Sequence, residues 1–225
     1  MKDKIWGIVF ITLIAVCSAN ILLFEPLRGI AFDKGFYEKE FDKYNIYGRF
    51  NENSSYIDSE FGKVIDYVKG DGELNSKFFN IKEKEHLKDV KNIFSFIKII
   101  LITYFSLLAV LCIYLIRKKD WFSILEGLKN GALLVIGFIL AVGISSIINF
   151  RWTFVKMHQF LFANELWLLD YNTDMLIRML PNKIFMDIGI RWGVLVIITC
   201  VMILLVVAVI KGRIKVKTTK SSLNS

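Results

Sequence analysis

The chain has 225 residues, 55% of them apolar and 22% charged, with 29 Lys and Arg against 21 Asp and Glu for a net charge of +8. The apolar excess is concentrated in four charge-free runs, Ile5–Phe24, Ile99–Ile116, Gly131–Phe150 and Trp192–Ile210, each close to the roughly 20 residues that cross a bilayer core. That pattern excludes an ordinary soluble domain, a disordered chain and a DNA-binding protein. It predicts an all-α transmembrane four-helix bundle with a small extracytoplasmic α+β cap.

In chain order, residues 1–24 form the first span. Lys2 and Lys4 would suit a signal peptide. However, the apolar run exceeds an h-region, no small-x-small site closes it, and Val16 is too bulky for the lipoprotein-like stretch Ile14–Cys17, so the helix is read as retained. Residues 25–92 are the cap, ending in a helix continuous with the second span at 93–116. Twelve aromatic residues from Phe32 to Phe79 mark the cap as folded rather than linker. Tyr37 to Phe50 reads as strand-like in places, with Asn45 and Gly48 as turn residues. Ser55 with Asp58 suggests a capping box for a helix to Lys69, ended by Gly70-Asp71-Gly72. A second box, Asn80 with Glu83, opens a helix with no breaker from Ile81 to Ile116.

A cytoplasmic loop (117–129) and the third span (130–150) follow. Residues 151–188 are a second outward segment, 189–210 the last span and 211–225 a basic tail. The pieces assigned to the cytoplasm hold eleven basic and three acidic residues, which is the whole net charge; the remainder is neutral. The positive-inside rule therefore puts both termini in the cytoplasm. Basic tails could imply nucleic acid, but as topology determinants touching anionic lipid they need no such partner, and none is expected. Cys17, Cys112 and Cys200 all fall in spans, which disfavours disulfides, thiol catalysis and thiolate metal sites. No cofactor or metal is expected.

The two histidines, His86 and His158, lie on the same side, each about two helical turns from a span. Helical spacing places Asp89 and Lys82 beside His86. Around His158 lies a run, Met157 to Trp167, that is very apolar for a loop and suits the membrane surface. Trp152, Trp167 and Trp192 fall at the outer interface, where indoles act as anchors. The GxSxG and HExxH motifs are absent, and the spans lack the ionisable residues that ion-coupled transport uses.

Glu85-His86-Leu87-Lys88-Asp89-Val90-Lys91 resembles the "E-x-x-H-x-x-D-V-K" region of the lipoprotein intramolecular transacylase (Lit) family, with either Glu83 or Glu85 answering to its glutamate. A second block is similar to that family's long signature. It runs from Phe160 to Asp170, then Thr173 to Pro181 and Phe185-Met186-Asp187, with His158 just ahead of it. The resemblance covers nearly the whole chain except residues 45–80. It implies a Gram-positive membrane acyltransferase that needs no cofactor. Its partners would be diacylated lipoproteins and membrane phospholipid. The enzyme would move the sn-2 acyl chain of a diacylglyceryl-modified N-terminal cysteine to the cysteine's own α-amine, giving a lyso-form lipoprotein. It implies His86 and His158 as catalytic residues. Glu85, Asp89, Glu165, Asp174 and Arg178 are candidates to orient an imidazole or steady an oxyanion. A general-base route and an acyl-histidine intermediate both fit the residues. The rival from composition alone is a non-enzymatic lipid-binding or signalling protein with a partner-binding cap.

Overall fold

A computed structural model describes residues 2–223, with side chains over residues 4–214. The side chains of Lys2 and Asp3, and those of Lys215, Lys217 and Lys220 in the basic tail, lie outside the described residues. The elements are α1 (Lys2–Ala31), α2 (Lys34–Lys43), a 3-10 turn (Tyr47–Arg49), α3 (Ser54–Lys69), α4 (Ile81–Arg117), α5 (Trp121–Leu161), α6 (Met175–Met179) and α7 (Asn182–Leu223). Helices α1, α4, α5 and α7 are long and apolar enough to cross a membrane. They leave large apolar side chains such as Ile8, Ile99, Leu134 and Ile198 exposed, as lipid-facing surfaces do. The chain divides into two compact units, one of residues 1–26, 100–141 and 193–225, the other of residues 27–99 and 142–192.

In the first unit, Ile14, Leu111, Leu115 and Ile124 form a buried core flanked by Phe10, Leu108, Cys112 and Leu128. Gly127 and Gly131 stand one turn apart on α5, where they let α1 come close. A Cβ on Gly127 would lie 2.6 Å from Ile14 Cβ, and one on Gly131 2.9 Å from the Ala15 carbonyl oxygen. This is the small-x-x-x-small packing that substitutes for a hydrophobic drive inside lipid. Glu126 accepts from both Lys129 and Lys211, tying α5 to α7. The three cysteines are free thiols.

The second unit is helical throughout, and here the sequence expectation fails: among the described residues there is no strand, so the cap is not α+β. The stretch read as strand-like holds most of α2 and the 3-10 turn. Asp33 caps α2, its Oδ1 accepting from Phe36 N at 3.1 Å. Phe36, Tyr37, Glu40 and Phe41 then repeat at helical spacing and are buried together. Aromatic density is what reads as strand; the cap and the four-residue period decide the outcome. Asn45, at φ 50°, turns the chain out of α2. Helix α3 is capped by Asn53, whose Oδ1 accepts from Tyr56 N at 2.8 Å, rather than by Ser55. It ends on Gly70 at φ 95°, the left-handed position that glycine occupies without cost. The unit's core joins Phe41, Ile46, Ile57 and Val64 to Leu87 of α4, to Leu176 and Met179 of α6, and to Ile184 of α7.

Helix α4 starts with a reciprocal capping box. Glu83 N donates to Asn80 Oδ1 at 3.0 Å, and Asn80 N donates to Glu83 Oε2 at 2.8 Å. The second oxygen of Glu83 accepts from Leu176 N at 2.6 Å. Glu83 is fully buried. Burial pushes its carboxyl above the usual range, and backbone bonds from Leu176 and Asn80 pull against that.

Two stability outcomes follow. Gly131→Ala should lower the thermal midpoint in detergent, at an overpacking cost of about 1–3 kcal/mol, whereas Gly137→Ala, where a methyl meets nothing within 4 Å, should not. Glu83→Ala strands two backbone donors and should cost about 2–4 kcal/mol by the same measurement.

Candidate active site

His86 sits three residues beyond Glu83, so the box that starts α4 also fixes the azimuth of this imidazole. His158 is placed by a break in α5. At Asn149 the backbone leaves helical geometry (φ −157°, ψ 92°). Asn149 Oδ1 then accepts from Trp152 N at 3.0 Å, and its carbonyl accepts from Thr153 Oγ1 at 3.2 Å. Residues 150–161 therefore form a second, separately capped helical piece. His158 lies two turns into it.

Both imidazoles are buried, His86 to 7% and His158 to 8% exposure, and their ring centroids stand 6.5 Å apart. Aromatic rings enclose them. Phe154 lies 4.1 Å and Trp167 5.0 Å from His158, and Phe162 stands edge-on 5.0 Å from His86 and 5.6 Å from His158. Phe154, His158 and Phe162 are four residues apart, so this much of the box was readable as one helical stripe; Trp167 was not.

The polar contacts distinguish the two rings. His158 Nδ1 meets the Phe154 carbonyl at 2.8 Å. A carbonyl oxygen only accepts, so Nδ1 carries the proton and Nε2 holds the lone pair. His86 Nδ1 is buried without a hydrogen-bond partner among the described residues. Both rings lie on helix ends outside the charge-free spans. Burial, with the neighbouring His158 and against a smaller pull from Asp89, lowers His86 to about 4. Burial also lowers His158, partly offset by its bond to Phe154. Both are neutral bases at physiological pH.

The carboxylates and the arginine expected near the imidazoles are mostly employed elsewhere. Glu85 is exposed and pairs with Lys88 at 3.4 Å. Glu165 is exposed, and its backbone carbonyl accepts from Leu168 N. Asp174 is buried at the start of α6, where it accepts from Asn80 Nδ2 at 2.7 Å, Asp170 N at 2.8 Å and Thr173 Oγ1 at 3.1 Å. Arg178 donates to the Arg49 carbonyl, accepts Arg49 Nη1 on its own carbonyl at 3.1 Å, and lies over the Phe50 ring. Asp174 and Arg178 thus fasten the second segment to α4 and to the 3-10 turn. Asp89 alone keeps a place beside the pair: it acts on His86 electrostatically, and its Oδ2 accepts from Asn164 Nδ2 at 2.8 Å. Of the two glutamates that fit the motif, Glu83 is the one locked into the fold. Among the described residues, no three His, Cys, Asp or Glu side chains gather as metal ligands.

The model of the family described as "Lipoprotein intramolecular transacylase Lit" matches residues 9–185. No curated protein matches the sequence. A crystal structure of the membrane integral lipoprotein intramolecular transacylase Lit from Bacillus cereus superposes with a TM-score of 0.83 at 23% identity, over 96% of this chain and 99% of that one. A variant of that protein with one histidine replaced by alanine gives a TM-score of 0.79 at 23% identity, over 94% and 97%. At that identity the likeness speaks for the fold; the family match, over most of the chain, speaks for kinship. The chain is a multi-pass membrane protein of the lipoprotein intramolecular transacylase Lit family, and its activity is intramolecular O-to-N acyl transfer.

Proposed function

We propose that His158 is the general base of the acyl transfer and His86 the donor that steadies the oxyanion. The single observation that carries this reading is the pair of buried imidazoles at 6.5 Å, one with its Nδ1 on a backbone carbonyl and the other with its Nδ1 unpartnered among the described residues. The Nδ1–H of His158 is spent on a backbone carbonyl, which leaves Nε2 as a base. Among the described residues the Nδ1 of His86 is buried without a partner, a setting that suits a bare lone pair better than a stranded N–H. The proton then sits on His86 Nε2, available to donate.

The substrate is a lipoprotein whose N-terminal cysteine carries a diacylglyceryl thioether. Its α-amine attacks the sn-2 ester carbonyl. His158 Nε2 takes the proton that the nitrogen loses as the C–N bond forms. The negative charge on the carbonyl oxygen is met by His86 Nε2–H. When the intermediate collapses, the C–O bond breaks and His158 returns the proton to the departing glycerol oxygen. The product is the N-acyl, S-monoacylglyceryl lipoprotein. Donor and acceptor belong to one molecule, so holding them together supplies much of the rate. No activated acyl donor enters.

The eleven basic residues in 1–4, 117–129 and 211–225 support an orientation with both termini in the cytoplasm. The outward segments 25–92 and 151–188 then present the site to outer-leaflet lipid. Substrate acyl chains stay in the membrane while the ester reaches the imidazoles.

Mass spectrometry of a reporter lipoprotein from cells expressing each variant tests the assignment. His158→Ala should cut N-acylated product by roughly 10²–10⁴-fold, and His86→Ala by roughly 10²–10³-fold; normal product from both would overturn it. The pH profile is a second check. Lowered histidine pKa values mean the base gains a proton only on the acid side of the ordinary histidine range, so it is already neutral above that range. Single-turnover rate should therefore rise through the substrate amine's ionisation near about 8, with no separate limb near about 6.5.

A further inference from the structure

We infer that Asn164 is a positioning residue for this reaction, tying the helix of one histidine to the ring that packs on the other. The inference rests on His86 and His158 being the reacting pair. Asn164 lies in the loop between α5 and α6, and three of its polar groups are used. Its Nδ2 donates to Asp89 Oδ2 at 2.8 Å. Its backbone carbonyl accepts from Trp167 Nε1 at 2.9 Å. Its Oδ1 accepts from Leu166 N at 3.1 Å, fixing the turn between those two contacts. Asp89 is one helical turn past His86 on α4, and the Trp167 ring lies 5.0 Å from His158 at 35°.

This tie matters for the orientation of His158. Among the described residues the ring has one polar restraint, Nδ1–H to the Phe154 carbonyl, which fixes a tautomer and leaves the ring free to rock about that bond. The walls that limit rocking are Phe154 on its own helix, Phe162 just past the end of that helix, and Trp167 from the loop. Trp167 is held by its indole N–H to Asn164, and Asn164 is held by Asp89. Displacing the loop would therefore re-aim Nε2 without breaking the bond at Nδ1. Residue 164 has to bring a donor, because Asp89 is half-buried and its carboxylate only accepts. An aspartate at 164 would keep the backbone carbonyl for Trp167 and an acceptor for Leu166. It would lose only the link to Asp89, replacing it with two facing carboxylates.

The test is a reciprocal exchange in the full-length enzyme, with single-turnover kinetics on a synthetic diacylglyceryl lipopeptide. Asn164→Asp should lower kcat about tenfold to a hundredfold, the range expected for a misplaced catalytic group, with KM changed by less than about threefold. The double variant Asp89→Asn with Asn164→Asp swaps donor and acceptor while moving the negative charge by only a hydrogen bond's length. It should return kcat to within about threefold of the parent. Trp167→Phe keeps a ring against His158 without its N–H. It should show the same kcat-selective loss, and adding Asn164→Asp should deepen it little; this covers the case in which Asn164→Asp fails to fold. Parental kcat in Asn164→Asp, or no rescue by the exchange, overturns the inference. Those outcomes leave the histidine assignment standing if His86→Ala and His158→Ala are inactive. If those two variants are active, the assignment itself falls, whatever the exchange shows.

Discussion

One buried carboxylate sets the geometry on which the rest of the second unit depends. Glu83 spends one oxygen on the backbone that opens α4 and the other on the backbone of α6, ninety-three residues further on. The first bond fixes where α4 starts and so which way His86 points. The second brings in the segment that follows His158. Asn80 repeats the link from the other side, answering Glu83 with its side-chain oxygen and Asp174 with its amide nitrogen. A charged or half-charged group at zero exposure is tolerable only because each of its acceptors is filled.

The imidazoles follow a different rule. They are surrounded by rings, and among the described residues no carboxylate hydrogen-bonds either of them in the manner of a triad, Asp89 acting on His86 only electrostatically. That suits the substrate. An acyl ester at the edge of a bilayer carries no charge, and an amine must shed its proton before it can attack. A buried aromatic box favours the neutral form of both imidazoles without a counter-ion. A carboxylate hydrogen-bonded to His158 would raise its basicity but also favour a charged imidazolium beside the lipid.

Much of this was written in the sequence, and the parts that were not share a cause. The four spans follow from charge-free runs, because lipid forbids what water permits. The Asn80–Glu83 box is a three-residue local pattern and was readable; so was the left-handed glycine after Lys69. The histidines' position about two turns beyond the charge-free runs followed from counting turns. Tyr37 to Phe50 failed because aromatic density is shared by strands and by packed helices, and only Asp33 as a cap separates them. Asp174 and Arg178 were candidates to orient an imidazole or steady an oxyanion because they are polar residues in a family signature. Their partners, Asn80, Arg49 and Phe50, are more than ninety residues away, a distance no local pattern encodes. The same holds for Asn164 and Asp89. The break at Asn149 was hidden because it falls inside the end of the charge-free run Gly131–Phe150.

The placement of sulfur has a consequence for how the protein is made. All three cysteines lie in the unit of spanning segments, as free thiols, and the unit that carries the histidines has none. That unit closes by carboxylate–amide bonds, arginine–carbonyl bonds and stacked rings, none of which requires electrons to be withdrawn. Its assembly is thus indifferent to oxygen supply and to any oxidative folding apparatus. An organism growing without air could build this enzyme as readily as one growing in it.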